Sequence, residues 1–209
     1  MNTQIILRKY RKEDEASLTG IIREAWHYDE LCTPKTAAKL ANVFLYSCLA
    51  NQTYTQVAEV DGRAAGVIMA KDIRSHRCPF TCRIRQALSV LSLFLSREGR
   101  QTARIFGNVS SIDKALSERS RKDYEGEVAF FAVASEYRGR HIGTLLFEQM
   151  LSYMKRNDIR RFYLYTDTSC NYGFYESHGM KRAAEEKETF TVKGKRTEMT
   201  FFLYDYLCA

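Results

Sequence analysis

The chain has 209 residues, 45% of them hydrophobic, and a formal net charge of +7, which suits one domain, or one domain with an insertion, around a sizeable core. No apolar run reaches the ~18–20 residues of a membrane span, the stretch Met1–Ile5 lacks a signal peptide's charged-then-apolar pattern, and the six cysteines are too scattered for a secreted disulfide scaffold. A reduced cytoplasm is the expected setting, and basic residues spread along the chain without a nucleic-acid motif argue against nucleic acid as partner.

Ile5–Tyr10 reads as a first strand. A helix follows, with Asp14 at its N-cap, running to about Trp26 and placing Leu18, Ile21, Ile22 and Ala25 on one face. Residues 27–34 form a polar, aromatic-bearing connection. A second helix covers roughly 35–50, with Leu40, Val43, Phe44, Ser47 and Cys48 inward. Thr53–Val60 and Ala64–Asp72 are two strands around Asp61-Gly62-Arg63, a strong hairpin signal. Residues 73–123 carry two amphipathic segments, one with Ile84, Leu88, Leu91 and Leu95, the other with Ile105, Ile112 and Leu116. They read as a helical insertion between the third and fourth strands, serving as a lid or packing element; shaping a substrate site or a dimer contact is the alternative.

Glu127–Ala134 is a nearly continuous apolar run, as in a strand buried on both faces. Ile142, Leu145, Leu146, Met150, Leu151 and Met154 then recur three and four apart, as on one helix face. Arg161–Thr166 is a further strand. Asn171–Gly179 is a short helix that Gly179 ends in the left-handed conformation. Thr189–Val192 and Glu198–Tyr206 pair as a hairpin around Lys193-Gly194-Lys195. Strands and helices thus mix in a single α/β domain spanning 1–209.

Between the apolar strand and its helix lies Arg138-Gly139-Arg140-His141-Ile142-Gly143-Thr144. The first N–H groups of a helix lack intrahelical partners, and the dipole adds to their pull on anions. Glycine lets a phosphate approach the backbone. The stretch therefore reads as a pyrophosphate cradle. It is neither a P-loop, since no Lys-Ser/Thr follows its last glycine, nor a dinucleotide G-x-G-x-x-G. It resembles the acetyl-CoA loop of the GCN5-related N-acetyltransferase (GNAT) superfamily, Gln/Arg-x-x-Gly-x-Gly/Ala. Arg138, Gly139, Ile142 and Gly143 match, while His141 stands where the family most often has its first glycine. Asn171-Tyr172-Gly173-Phe174-Tyr175-Glu176-Ser177-His178-Gly179-Met180 resembles the family's closing signature, Phe/Leu-Tyr-Glu-x-x-Gly-Phe, with Met180 for the final Phe.

The resemblance implies a GNAT fold: a mixed central sheet of about six to seven strands flanked by helices, here with the 73–123 insertion, whose fourth and fifth strands splay apart around the thioester. It implies acetyl transfer from acetyl-CoA to a primary amine, by direct attack in a ternary complex. The Phe131 and Val133 backbones would hold the pantetheine. The N–H groups from Arg138 to Thr144, including Arg140 and His141, would hold the pyrophosphate, with Asn171 also at the cofactor. Tyr175 falls on the general-acid tyrosine, and Glu127 on a glutamate that acts directly or through water. Glu125, Asp167, His178 and Tyr165 are other candidate bases. The connection at 27–34 would border the acceptor.

Cys170 is a possible nucleophile by chemistry alone, but the family transfers directly. His76-x-Cys78-x-x-x-Cys82 lacks a fourth ligand, so no metal is expected. The acceptor is expected to be a small molecule, with neither nucleic acid nor membrane as partner and a homodimer possible. The alternatives are a non-catalytic CoA-binding sensor or interaction module and, from the charge, a nucleic-acid-binding domain.

Overall fold

The computed structural model describes residues 4–192 and 195–208; the side chains of 104–108, 191, 192 and 195 are not described. Lys193 and Gly194 of the expected C-terminal turn, and the Ile105 side chain, lie outside the described residues. The chain opens with β1 (Ile5–Arg8), a 3-10 turn (Lys12–Asp14), α1 (Glu15–Ala25), a single helical turn α2 (Tyr28–Leu31) and α3 (Pro34–Ala50). Asp14 does not cap α1 with its side chain. Its carboxylate instead accepts the Arg11 N–H at 2.8 Å and two bonds from Arg8, closing the preceding 3-10 turn.

β2 (Tyr54–Val60) and β3 (Arg63–Asp72) form the expected hairpin. Asp61 and Gly62 both take positive φ, 49° and 76°, the two left-handed positions that a tight two-residue turn needs. Two helices, α4 (Phe80–Phe94) and α5 (Arg97–Ser120), occupy the insertion, and β4 (Gly126–Val133) follows. α6 (Ile142–Arg156) crosses to β5 (Arg161–Asp167). The chain ends with α7 (Gly173–Ser177), β6 (Lys181–Val192) and β7 (Lys195–Leu207). β6 begins eight residues before the expected Thr189 because Lys181–Glu188 carries no apolar alternation. It is the edge strand, paired only with β7, where charge guards the open edge against further pairing.

Among the described residues seven strands form one sheet in the order β1-β2-β3-β4-β5-β7-β6. Every neighbouring pair is antiparallel except β4 with β5. α6 covers one face, burying Ile142, Leu146, Phe147, Met150 and Met154 against Ala58, Ile68, Phe162 and Leu164. On the other face, α1 and α3 pack on Val57, Val67, Met69 and Phe130. Beside them α5 packs Ile112 and Leu116 on Phe201, Leu203, Tyr163 and Tyr165. The insertion therefore supplies part of the sheet's second covering layer. Among the described residues, no helix is long and apolar enough to cross a membrane.

Candidate functional site

β4 and β5 pair only at Gly126↔Phe162 and Glu127↔Tyr163. A register shift in the β3–β4 ladder opposite Ala129 marks a bulge, which bends a strand and re-aims its groups. Beyond it the two strands part. Ala134 donates its N–H to Ala65 on the β3 side at 2.9 Å. Backbone groups alternate along an extended strand, so Val133 and Phe131 direct theirs to the opposite side, into the opening beside β5. The sequence-predicted pantetheine positions thus face a gap with no strand to satisfy them.

The predicted cradle closes the mouth of this gap. Arg138, Gly139, Arg140 and His141 are exposed, and Ile142 is buried, anchoring the helix start. Gly139 takes φ +75° and His141 φ +60°. Two left-handed residues at a helix N-terminus turn successive N–H groups towards one point, a concavity suited to anions. Arg138 Nε lies 3.4 Å from the Val133 carbonyl, and the Arg140 guanidinium lies over the Tyr137 ring, so both cations stay at the loop. Neither backbone conformation nor packing within the chain demands glycine at 143. A Cβ there would lie 3.4 Å from the Phe174 ring and 3.6 Å from Phe131, ordinary contact distances.

His141 occupies a conformation that costs an L-residue roughly 1–2 kcal/mol, partly offset by the ~0.4–1 kcal/mol that glycine loses through unfolded-chain freedom. His141→Gly is therefore expected to stabilise the fold by about 0.5 kcal/mol, read by urea denaturation. A destabilised variant would show that the imidazole makes a contact worth more than the strain.

Tyr175 lies on α7, its ring 6.3 Å from Phe131, 5.8 Å from Phe174 and 6.0 Å from Tyr204. Among the described residues its hydroxyl has no hydrogen-bond partner in the protein. Burial, then the charges of Cys170 and Asp167, push its phenol above the ordinary tyrosine range. Asn171 is exposed just before α7, and its carbonyl accepts the Phe174 N–H at 3.2 Å. His178 fastens α7 to α6: its ring stacks on Phe174, Nδ1 donates to the Phe174 carbonyl, and Nε2 faces the Thr144 hydroxyl at 3.3 Å. The structure thus brings Phe131, Gly143, Phe174 and Tyr175 together on the α6 side of the sheet, with Val133 and Arg138 beside them, while Asn171 lies exposed at the start of α7.

Glu127 lies on the opposite face, at the foot of the gap. Its carboxylate pairs with Lys71 Nζ at 2.6 Å, and Lys71 also donates to Asn51 Oδ1 at 2.9 Å. Tyr163 is the sheet neighbour of Glu127, its ring lies 5.2 Å from that of Tyr165, and both rings pack beside α5. A polar row therefore runs from Lys71 through Glu127, Tyr163 and Tyr165 to the insertion. Burial raises both phenols, so both remain donors at neutral pH.

Sequence reasoning missed Asp113. It stands four residues before Ser117, hence on the same helix face, and follows Ile112, which docks α5 on the sheet. Burial, then the charges of Glu127 and Asp167, push its carboxyl up to about 7. No local pattern marks it, because its neighbours come from strands distant in sequence. Asp167 Oδ1 accepts the Ser169 N–H at 2.7 Å, shaping the turn after β5. Glu125 accepts the Arg160 N–H and ties the strands together below the gap. Burial, then Asp167, push the Cys170 thiol up, away from the nucleophilic thiolate. His76 Nε2 is engaged with the Ala50 carbonyl at 2.9 Å. Among the described residues no group of three His, Cys, Asp or Glu side chains is placed to hold a metal.

Solved structures share this architecture. An N-acetyltransferase from Staphylococcus aureus Mu50 is 13% identical with a TM-score of 0.57, over 99% of this chain and 100% of that one. The ribosomal-protein-alanine N-acetyltransferase from Brucella melitensis is 13% identical with a TM-score of 0.56, over 97% and 99%. The paia N-acetyltransferase from Thermoplasma acidophilum, solved in complex with coenzyme A, is 17% identical with a TM-score of 0.51, over 98% and 99%. At such identities the likeness establishes the fold. No curated protein matches the sequence. The family model described as Acetyltransferase (GNAT) family matches residues 18–180, most of the chain, including the parting strands, the cradle and α7. The chain is a member of the GNAT acetyltransferase family.

Proposed function

We propose that the protein transfers the acetyl group of acetyl-CoA to a primary amine of a small molecule, by direct attack with both substrates bound. The observation that carries this reading is the β4–β5 gap, which begins where the pairing stops after two residue pairs and opens between the α6 cradle and Tyr175. Acetyl-CoA fits the residues present. The loop amides from Arg138 to Thr144 and the two arginine side chains would hold the pyrophosphate, the Phe131 and Val133 backbone groups that face the gap the pantetheine amides, with Arg138 turning from the Val133 carbonyl to the phosphates, and Asn171 the edge of the opening. When bound, it supplies an activated acetyl thioester.

The chain's own groups would manage protons. An amine reaches the site as its ammonium and must give up one proton before attack and a second as the amide forms. Glu127 lies about 13 Å along β4 from Phe131, by strand rise alone, and on the other face. It is therefore assigned to receive a proton through the Tyr163–Tyr165 row or water, not by direct contact at the thioester. Tyr175 delivers a proton to the departing sulfur. With Glu127 answered by Lys71, Asp113 and Asp167 are the carboxylates that make this side locally acidic despite the net charge of +7, which favours a cationic amine. α5, lying across β6 and β7, leaves less room for a folded protein acceptor and supports a small one.

Calorimetric titration with acetyl-CoA, followed by thiol release with a panel of amines, tests the reading. Wild type is expected to bind saturably, and Arg138→Glu to bind about 10–100-fold more weakly, since a reversed charge faces the phosphates. A folded wild type that does not bind refutes the proposal. Binding without turnover on any amine would leave a CoA-binding module.

A further inference from the structure

Helix α4 faces the wrong way for a core helix. Phe80, Ile84, Leu88, Leu91 and Leu95 recur three and four apart, and all are exposed: 76%, 43%, 59%, 57% and 75%. Phe94 widens the ridge at 46% exposure. The apolar face of the insertion's first amphipathic segment is its outer surface. α4 docks on α3 through its polar side instead. Gln86 donates to Ser47 Oγ at 3.1 Å, Lys39 donates to the Ser92 carbonyl at 2.7 Å, and Leu93 is its buried side chain. A continuous apolar ridge of this length on a protein surface marks a contact.

Charge selects the partner. Residues 73–97 contain Arg74, Arg77, Arg83, Arg85 and Arg97 and no Asp or Glu, and Arg100 reaches back to the Phe94 carbonyl at 2.8 Å. A second copy docked on this ridge would bring arginines against arginines with no carboxylate on either helix to answer them. In the groove beside Leu88, between α3 and α4, Arg85 is paired with Glu15 at 3.4 Å and Lys39 is held by the Ser92 carbonyl, so the charge left to a partner is that of the exposed Arg77 and Arg83. An apolar ridge with an arginine rim matches a surface whose interior is apolar and whose headgroups are anionic.

We propose that α4 is an interfacial helix: its Phe80–Leu95 ridge lies in the headgroup boundary of an anionic bilayer, with Arg77 and Arg83 on lipid phosphates. This reading stands apart from the acetyl-transfer site and reverses the expectation of no membrane contact. Co-sedimentation of the full chain with phosphatidylcholine vesicles, with and without about 30% phosphatidylglycerol, tests it at about 0.1 M salt. Binding to the anionic vesicles is expected to exceed binding to neutral ones at least ~10-fold. The double variant Leu88→Glu/Leu91→Glu is expected to lose at least ~10-fold while melting as wild type does, because neither side chain supports the core. Arg77→Glu/Arg83→Glu, which leaves the ridge intact, is expected to lose the preference for anionic lipid. Wild type that ignores both vesicles overturns the proposal, as does equal binding to both. Sedimentation velocity decides the competing occupant: a wild-type dimer that Leu88→Glu/Leu91→Glu dissociates would show the ridge to be covered by a second copy.

Discussion

A Tyr175→Phe enzyme is expected to bind acetyl-CoA as tightly as wild type and to turn over about 100-fold more slowly, the usual scale for losing a positioned general acid. The substitution removes one oxygen and keeps the ring that packs between Phe131, Phe174 and Tyr204, so the fold and the cradle are untouched. What the proposed mechanism would lose is its proton donor to the leaving sulfur. Burial and the nearby Cys170 and Asp167 hold the phenol above its ordinary value, so the donor form persists through the neutral and mildly alkaline range. Its unpartnered hydroxyl is free to turn to an incoming group. The measurement is kcat alongside calorimetric affinity. An unchanged kcat under conditions where chemistry limits turnover would remove Tyr175 from the mechanism. A parallel loss of affinity would make it a wall of the cofactor site.

Asp113→Asn is expected to raise KM for a cationic amine by about tenfold, the scale of one lost charge-assisted contact, with acetyl-CoA affinity unchanged. The carboxyl titrates at about 7, and the groups facing it are Glu127 and Asp167 on the strands, with Tyr165 and Ser117 completing the row. Wild-type kcat/KM should then climb through neutral pH as Asp113 ionises, and the variant should lose that limb of the profile. Stability offers an independent reading. In the unfolded chain this carboxyl ionises near 4 and in the folded protein near 7. Between those values the unfolded state binds fewer protons than the folded one, so wild-type stability falls as pH rises. Asp113→Asn removes that loss. The variant should gain on wild type by up to about 2 kcal/mol, after allowance for solvent screening, by pH 8. A difference that stays constant from pH 4 to 8 would place Asp113 in ordinary solvent.

Much of the site was legible from local pattern. Glu127–Ala134 had to be a two-sided buried strand because nothing polar interrupts it, and Ile142–Met154 a helix because its apolar residues keep a three-four spacing. The glycines and arginines between them then had one place to go. Tyr175 was singled out only through its motif, since a lone half-buried tyrosine carries no distinguishing signal. The placing of Tyr163 and Tyr165 between Glu127 and α5 was not visible, because neighbours across a sheet leave no trace in spacing. The edge strand β6 was under-read for the opposite reason. Its Lys and Glu residues suit solvent, and pairing with β7 alone holds it extended.

Periodicity and turn chemistry by themselves determined the strand–cradle–helix unit, the Asp61–Gly62 hairpin and the order of elements, since each depends on residues a few positions apart. Only the tertiary structure decided where β4 and β5 part, that Asp113 comes up beside Glu127, and which side of α4 meets α3. A three-four spacing of apolar residues fixes that a helix has two unlike faces but not which one is covered. That choice is made by the neighbour, and α3 offered α4 hydrogen-bonding groups, leaving Phe80, Leu88, Leu91 and Leu95 on the surface.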